Sequence, residues 1–92
     1  MLWYIAGPIS SNLDGYRAEF AAAAAKLRAE GWEVVNPAEN PPEPSWHAYM
    51  KVSLGQLVSC DGVCLLKGWE RSEGASWEAS VAERLKMPRL FL

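Results

Sequence analysis

Runs of apolar residues alternate along this chain with longer stretches of helical periodicity, and turn-forming residues punctuate nearly every change. Leu2 to Ala6 is a short apolar run stopped by Gly7-Pro8, which predicts a buried strand. From about Asn12 to Glu30, Leu13, Tyr16, Phe20, Ala24 and Leu27 recur at helical spacing through an alanine run, and Gly31 supplies the stop. Trp32 to Val35 predicts a second strand, leading into Asn36-Pro37 and the loop Pro41-Pro42-Glu43-Pro44, whose prolines fix φ and remove donors. Ser45 is placed to cap a helix from Trp46 to Val58, with Trp46, Tyr49, Met50, Ser53 and Leu57 on one face. Gly62 to Leu66 predicts a third strand, Gly74 to Lys86 a third helix, and Arg89 to Leu92 a fourth strand.

The order βαβαβαβ, without repeats or an internal linker, reads as one α/β domain over residues 1–92, a reduced doubly wound (flavodoxin- or Rossmann-like) parallel sheet of four strands in order 2-1-3-4. Right-handed crossovers put the first helix on one sheet face and the second and third on the other. No helix follows the fourth strand. Strands three and four are therefore expected to show an uncovered apolar face, with Val63 and Leu65 or their alternates plus Leu90 or Phe91 exposed, and a partner subunit as its cover. A homodimer or a larger even-numbered assembly follows.

Composition narrows the function classes. Half of the 92 residues are hydrophobic, five are Trp, and the formal charge is −2. No run of Lys or Arg provides a footprint for a nucleic acid polymer. The chain begins without a basic leader and holds no apolar stretch long enough for a bilayer, so no membrane is expected as partner and the cytoplasm is the expected location. Cys60 and Cys64 lie about 13 Å apart if extended, too far to bridge. With His47 the single histidine and no ligand spacing, no metal site is expected.

Glu78 interrupts the helical pattern. At about 100° per residue, Trp77, Val81, Leu85, Ala82, Ala75 and Ala79 form one apolar arc, and Glu78 falls in its middle. A carboxylate there must be desolvated, which is costly unless it is paired or has a use. It also lies in the first turns of a helix entered from the carboxyl end of a strand, where open α/β sheets bind ligands. The first loop, Gly7-Pro8-Ile9-Ser10-Ser11-Asn12, offers backbone N–H groups and serines to a phosphate or hydroxyl, although it lacks the spaced glycines of a dinucleotide fingerprint. Ser72 and Gly74 come from the loop after strand three, and Asn36 from the loop after strand two. Asp61, just before strand three, is either a turn-former or a second acid that divides nucleophilic and proton-transfer work with Glu78. Trp69 is the aromatic most open to stacking on a base, whereas Trp3, Trp32 and Trp46 read as packing residues.

Tyr4-Ile5-Ala6-Gly7-Pro8, Asn36-Pro37, Cys60-Asp61-Gly62-Val63 and Ser72-Glu73-Gly74-Ala75-Ser76-Trp77-Glu78 together resemble the nucleoside 2-deoxyribosyltransferase superfamily, in particular its short phage- and bacteria-associated branch. The resemblance implies that Glu78 attacks C1′ of a deoxyribosyl group to give a covalent glycosyl-enzyme, that Tyr4 hydrogen-bonds this nucleophile, and that Asp61 handles the proton on the base. Ser72 stands where transferases carry a sugar-binding aspartate and the related deoxynucleoside 5′-monophosphate N-hydrolases a serine. A hydroxyl can donate to a phosphate that a carboxylate would repel, so this favours a nucleotide substrate. Ser76 replaces a glycine common in relatives, and the chain stops at strand four where relatives commonly continue into a neighbouring subunit's site.

The expected activity is cleavage or transfer at the N-glycosidic bond of 2′-deoxynucleoside 5′-monophosphates, without a cofactor. Catalytic roles fall to Glu78, Asp61 and Tyr4, and substrate contacts to Gly7, Pro8, Ile9, Ser10, Asn36, Trp69, Ser72 and Gly74. The competing expectation is a silent nucleotide-binding or protein-interaction module of the same fold.

Overall fold

A computed structural model describes all 92 residues. Strands β1 (Leu2–Ala6), β2 (Glu33–Val35), β3 (Gly62–Leu65) and β4 (Arg89–Phe91) form a parallel sheet in the order β2-β1-β3-β4. Helices α1 (Tyr16–Ala29), α2 (Trp46–Val58) and α3 (Glu73–Arg84) are the crossovers. The register pairs Tyr4 with both Val35 and Val63, and Ala6 with Leu65. The carboxyl ends of β1 and β3 therefore finish side by side.

Alternation along the strands divides the core in two. Trp3, Ile5, Cys64 and Leu66 face α1, which meets them with Phe20, Ala23, Ala24 and Leu27. Tyr4, Ala6, Val63 and Leu65 face the opposite side, against Leu57 of α2 and Ala75, Ala79 and Ala82 of α3. The packing tolerates little added volume: a Cβ on Gly62 would lie 2.6 Å from a ring carbon of Trp3. This arrangement has one helix on one face and two on the other, as the crossover rule requires.

Local boundaries depart from the sequence pattern where the helix formers are weak. Ser10–Asn12 is a 3-10 turn and α1 begins only at Tyr16, which leaves Leu13 exposed. Asn12, Asp14 and Gly15 are poor helix residues, so the first turns of the expected helix become a loop at the sheet's carboxyl end. Gly31, at φ 91°, closes α1, and Ser45 caps α2 by accepting a hydrogen bond from the Ala48 N–H at 3.1 Å.

Two expectations about exposure are corrected. The buried face of α3 is Ala75, Glu78, Ala79 and Ala82, while Trp77 and Leu85 are more than half exposed. A helix against one sheet face buries a stripe narrower than the arc read from sequence, and small residues win the contact because they let the helix sit close. The broad uncovered face expected on strands three and four is also absent. Val63, Cys64, Leu65 and Leu66 are all buried, since α1 reaches across β3 and α3 covers the other side. Exposure is confined to the edge strand and the residue after it, at Phe91 and Leu92.

Candidate active site

Above the carboxyl ends of β1 and β3 lies a pocket of about 350 Å³. Ile5 and Phe20 belong to its apolar lining, and Gly7, Ile9 and Ser10 come from the loop after β1. The start of α3 contributes Ser72, Gly74 and Glu78. Gly74 keeps the helix start open, because a Cβ there would press on the Met50 sulfur at 3.3 Å. Ser72 caps α3, accepting from the Ala75 N–H at 3.3 Å, so its own hydroxyl proton stays available to a ligand.

Glu78 is 5% exposed, and its carboxylate is held from the sheet below. The Tyr4 hydroxyl donates to Glu78 Oε2 at 2.5 Å, a short charge-assisted bond between β1 and α3. Burial pushes the Glu78 carboxyl up to about 7, while the hydrogen bond from Tyr4 and the nearby Ser53 hydroxyl of α2 pull the other way. The Tyr4 phenol is driven well above its ordinary range by its own burial and then by the charge of Glu78, so it remains a donor. Tyr49, half-buried on the pocket wall, is also raised, first by burial and then by Glu78.

The remaining sequence-derived candidates divide. Asn36 is buried beside the pocket, but its side chain is spent on the turn Pro37–Glu39, accepting from the Ala38 N–H at 3.0 Å. Pro8 lines a neighbouring polar groove with Ser11, Asn12 and Lys67. Trp69 packs against Phe91 with ring centroids 6.4 Å apart and does not line the pocket. Ser76 is likewise outside it, donating to the Glu70 carbonyl at 3.2 Å.

Asp61 is a correction. It precedes β3, so it lies at the amino end of a strand whose carboxyl end feeds the pocket. There it accepts from the Leu2 N–H at 2.8 Å, and its own N–H donates to the Leu2 carbonyl at 2.8 Å. This is the turn-forming role, and a full strand separates it from Glu78.

Sequence reasoning missed Ser53, Glu43, Trp46 and Tyr49. Ser53 is wholly buried and carries the only side-chain hydroxyl of that buried α2 face apart from Tyr49, which was the available signal. Trp46, read as a packing residue, stays 40% exposed on the pocket wall and takes the place expected for Trp69. The lining holds two carboxylates, Glu43 and Glu78, and no Lys, Arg or His.

The parallel 2-1-3-4 sheet with its three crossover helices has a nucleoside 2-deoxyribosyltransferase-like α/β fold. Solved structures share it. A 2-deoxyribosyltransferase from the psychrotolerant bacterium Bacillus psychrosaccharolyticus superposes with TM-score 0.75 at 18% identity, covering 99% of this chain and 71% of that one. A 2-deoxyribosyltransferase from Leishmania mexicana gives TM-score 0.76 at 19% identity, with 99% of this chain and 63% of that chain covered. The present chain thus spans less than two thirds of the Leishmania protein. At such identities the likeness is one of fold. No curated protein matches the sequence. The chain belongs to the family described as a domain of unknown function, DUF4406, which it matches over residues 1–91.

The raised Glu78 carboxyl has a thermodynamic consequence. Its folded-state value, about 7, lies above the ordinary 4.5, so the native state holds this proton more tightly than the unfolded chain. Its contribution is most favourable below about pH 4.5 and is lost as pH rises through about 7. Glu78→Gln should remove that dependence and stabilise the protein at pH 8, by an amount on the order of 3 kcal/mol. Denaturant titrations of both proteins at pH 5 and pH 8 measure it; equal pH dependence in the two would show that Glu78 is not held this way.

Proposed function

We propose that this protein breaks the N-glycosidic bond of 2′-deoxynucleoside 5′-monophosphates, with Glu78 as nucleophile and either water or a second base as acceptor. The observation that carries the reading is a buried carboxylate, held by a tyrosine from the adjacent strand, opening into a pocket at the carboxyl edge of the sheet.

Departure of the base builds positive charge at C1′, and a desolvated carboxylate is the group best suited to stabilise and capture it. The C1′–N bond breaks as a bond forms from C1′ to a Glu78 oxygen. The departing base takes up a proton from solvent; water or an incoming base then attacks C1′ and gives up its proton to solvent, the ester oxygen leaves, and the carboxylate returns, two displacements giving retention. Tyr4 holds the carboxylate through both steps. A 2-deoxy sugar suits this chemistry because it lacks the electron-withdrawing hydroxyl that opposes charge at C1′.

The start of α3 fits the rest of the nucleotide. Ser72 precedes Glu78 by six residues, about 9 Å along a helix axis, a span comparable to the reach of a deoxyribose 5-phosphate. A phosphate placed there meets the Ser72 and Ser10 hydroxyls and the free N–H groups of a helix N-terminus. Gly7, Ile9 and Gly74 bound the sugar. Asp61 has no part in the reaction.

Glu78→Gln should lower turnover at least about 1,000-fold while the fold is retained. In the wild type, kcat/KM should rise with pH along a limb centred near the Glu78 value of about 7, because only the ionised form attacks. Release of free base from a panel of deoxynucleotides, followed by chromatography, tests both points, and near-wild-type turnover in the Gln variant would overturn the assignment.

Monophosphates should be processed better than the matching nucleosides. Ser72→Ala should reduce that preference by about 1.5–3 kcal/mol, the worth of a charged hydrogen bond. Losing the cap should cost about 1 kcal/mol of stability, which acts on both substrates alike. Equal kcat/KM for nucleoside and nucleotide would reject a phosphate at Ser72.

A homodimer or larger even-numbered assembly is part of the same reading. Trp77 at 55% and Leu85 at 56% exposure, with half-buried Val81 between them, leave an apolar strip along α3. Light scattering at micromolar concentration should show an even-numbered oligomer, and Trp77→Glu should shift it to monomer. A monomeric, fully active wild type under those conditions would refute the assembly.

A further inference from the structure

Glu43 is an exposed glutamate carried on a constrained stretch of backbone. It sits in the strap Pro41-Pro42-Glu43-Pro44, where proline fixes φ on both sides of it. Each end of the strap is tied to α2. At one end Asn40 Nδ2 donates to Gln56 Oε1 at 2.7 Å and Gln56 Nε2 donates back to Asn40 Oδ1 at 3.0 Å. At the other end Ser45 caps the helix through the Ala48 N–H. The strap therefore has little freedom to carry Glu43 away from the pocket it lines.

Its carboxylate also has no partner in the protein. Arg17 borders a groove that Glu43 shares, but Arg17 Nη1 donates to the Ala38 carbonyl at 2.7 Å, and its guanidinium lies 5.2 Å from the Tyr16 ring centroid. No cationic side chain lines the pocket itself. An unpaired carboxylate on a stiff wall is a hydrogen-bond acceptor waiting for a donor on the ligand.

On the reading proposed above, the sugar and its phosphate occupy the α3 side, at Glu78, Ser72 and Gly74. The base is left to the wall made by the strap and the start of α2, where Trp46 offers an exposed aromatic surface beside Ser45 and Glu43. A carboxylate can only accept. It matches the exocyclic amino group of cytosine or adenine, and it opposes the carbonyl oxygen that uracil or hypoxanthine presents at the same position.

We propose that Glu43 determines base specificity, its carboxylate accepting a hydrogen bond from the amino group of the base so that amino-bearing deoxynucleotides are taken in preference to their keto counterparts. This rests on the pocket being a deoxynucleotide site, and the test separates the two claims.

Binding is measured calorimetrically on the Glu78→Gln protein, with the 5′-monophosphates of 2′-deoxycytidine against 2′-deoxyuridine and of 2′-deoxyadenosine against 2′-deoxyinosine. The amino member of at least one pair should bind about 10-fold or more tightly. Glu43→Ala added to this protein should abolish the difference, and Glu43→Gln, whose amide can turn either way, should level it. Equal affinities within both pairs, a preference that survives Glu43→Ala, or no binding of any of the four would each overturn the proposal. If a Glu43-dependent preference appears while the unaltered protein releases no base, specificity stands and the glycosidic reading fails. If base is released with a ranking indifferent to Glu43, the reverse holds.

Discussion

The hydrogen bond from Tyr4 to Glu78 is the constraint around which this small domain is arranged. Burying a carboxylate is unfavourable, and here a phenol from the central strand offsets part of that cost. That donor reaches Glu78 only if α3 lies close to the sheet. Ala75, Ala79 and Ala82 permit that approach, and the bulky Trp77 and Leu85 are turned outward as a result. Packing and chemistry are thus satisfied by one choice of helix face.

The pocket that results is chemically lopsided. Its lining combines apolar side chains, hydroxyls, tyrosines and two carboxylates without any cation. Glu78 is desolvated and tied down, and so is suited to covalent work. Glu43 is solvated and unpaired, and so is suited to recognition. The two carboxylates of one lining thus occupy opposite environments, an arrangement that lets a single residue type take different tasks in the proposed reaction. The helix start between Ser72 and Gly74 adds the electropositive element that side chains do not supply.

Parallel topology explains which residues meet. Every strand delivers its carboxyl end to the same edge of the sheet, so the loops after β1 and β3 converge with the strap before α2. Residues that precede a strand are delivered to the opposite edge. Asp61 and Glu78 are close in sequence, yet β3 lies between them, and Asp61 instead clasps the backbone of Leu2.

Much of this was legible along the chain. Apolar runs and turn residues set the element order, the doubly wound pattern set the strand order, crossover handedness set the helix faces, and the misplaced charge of Glu78 marked the pocket, because these depend on local periodicity and chain connectivity. Tyr4 as its partner, and Gly7, Ile9, Ser10, Ser72 and Gly74 around it, came with the strand ends and the family resemblance. Only tertiary structure decided which part of α3's wide apolar arc is buried, since that depends on how near the helix can approach the sheet. It alone showed that α1 reaches over β3, so that the bare face shrinks to the edge strand. It also exchanged Trp69 for Trp46 and brought in Ser53 and Glu43, whose places follow from how α2 and its proline strap lie across the sheet, and no sequence spacing encodes a distance between residues on different elements.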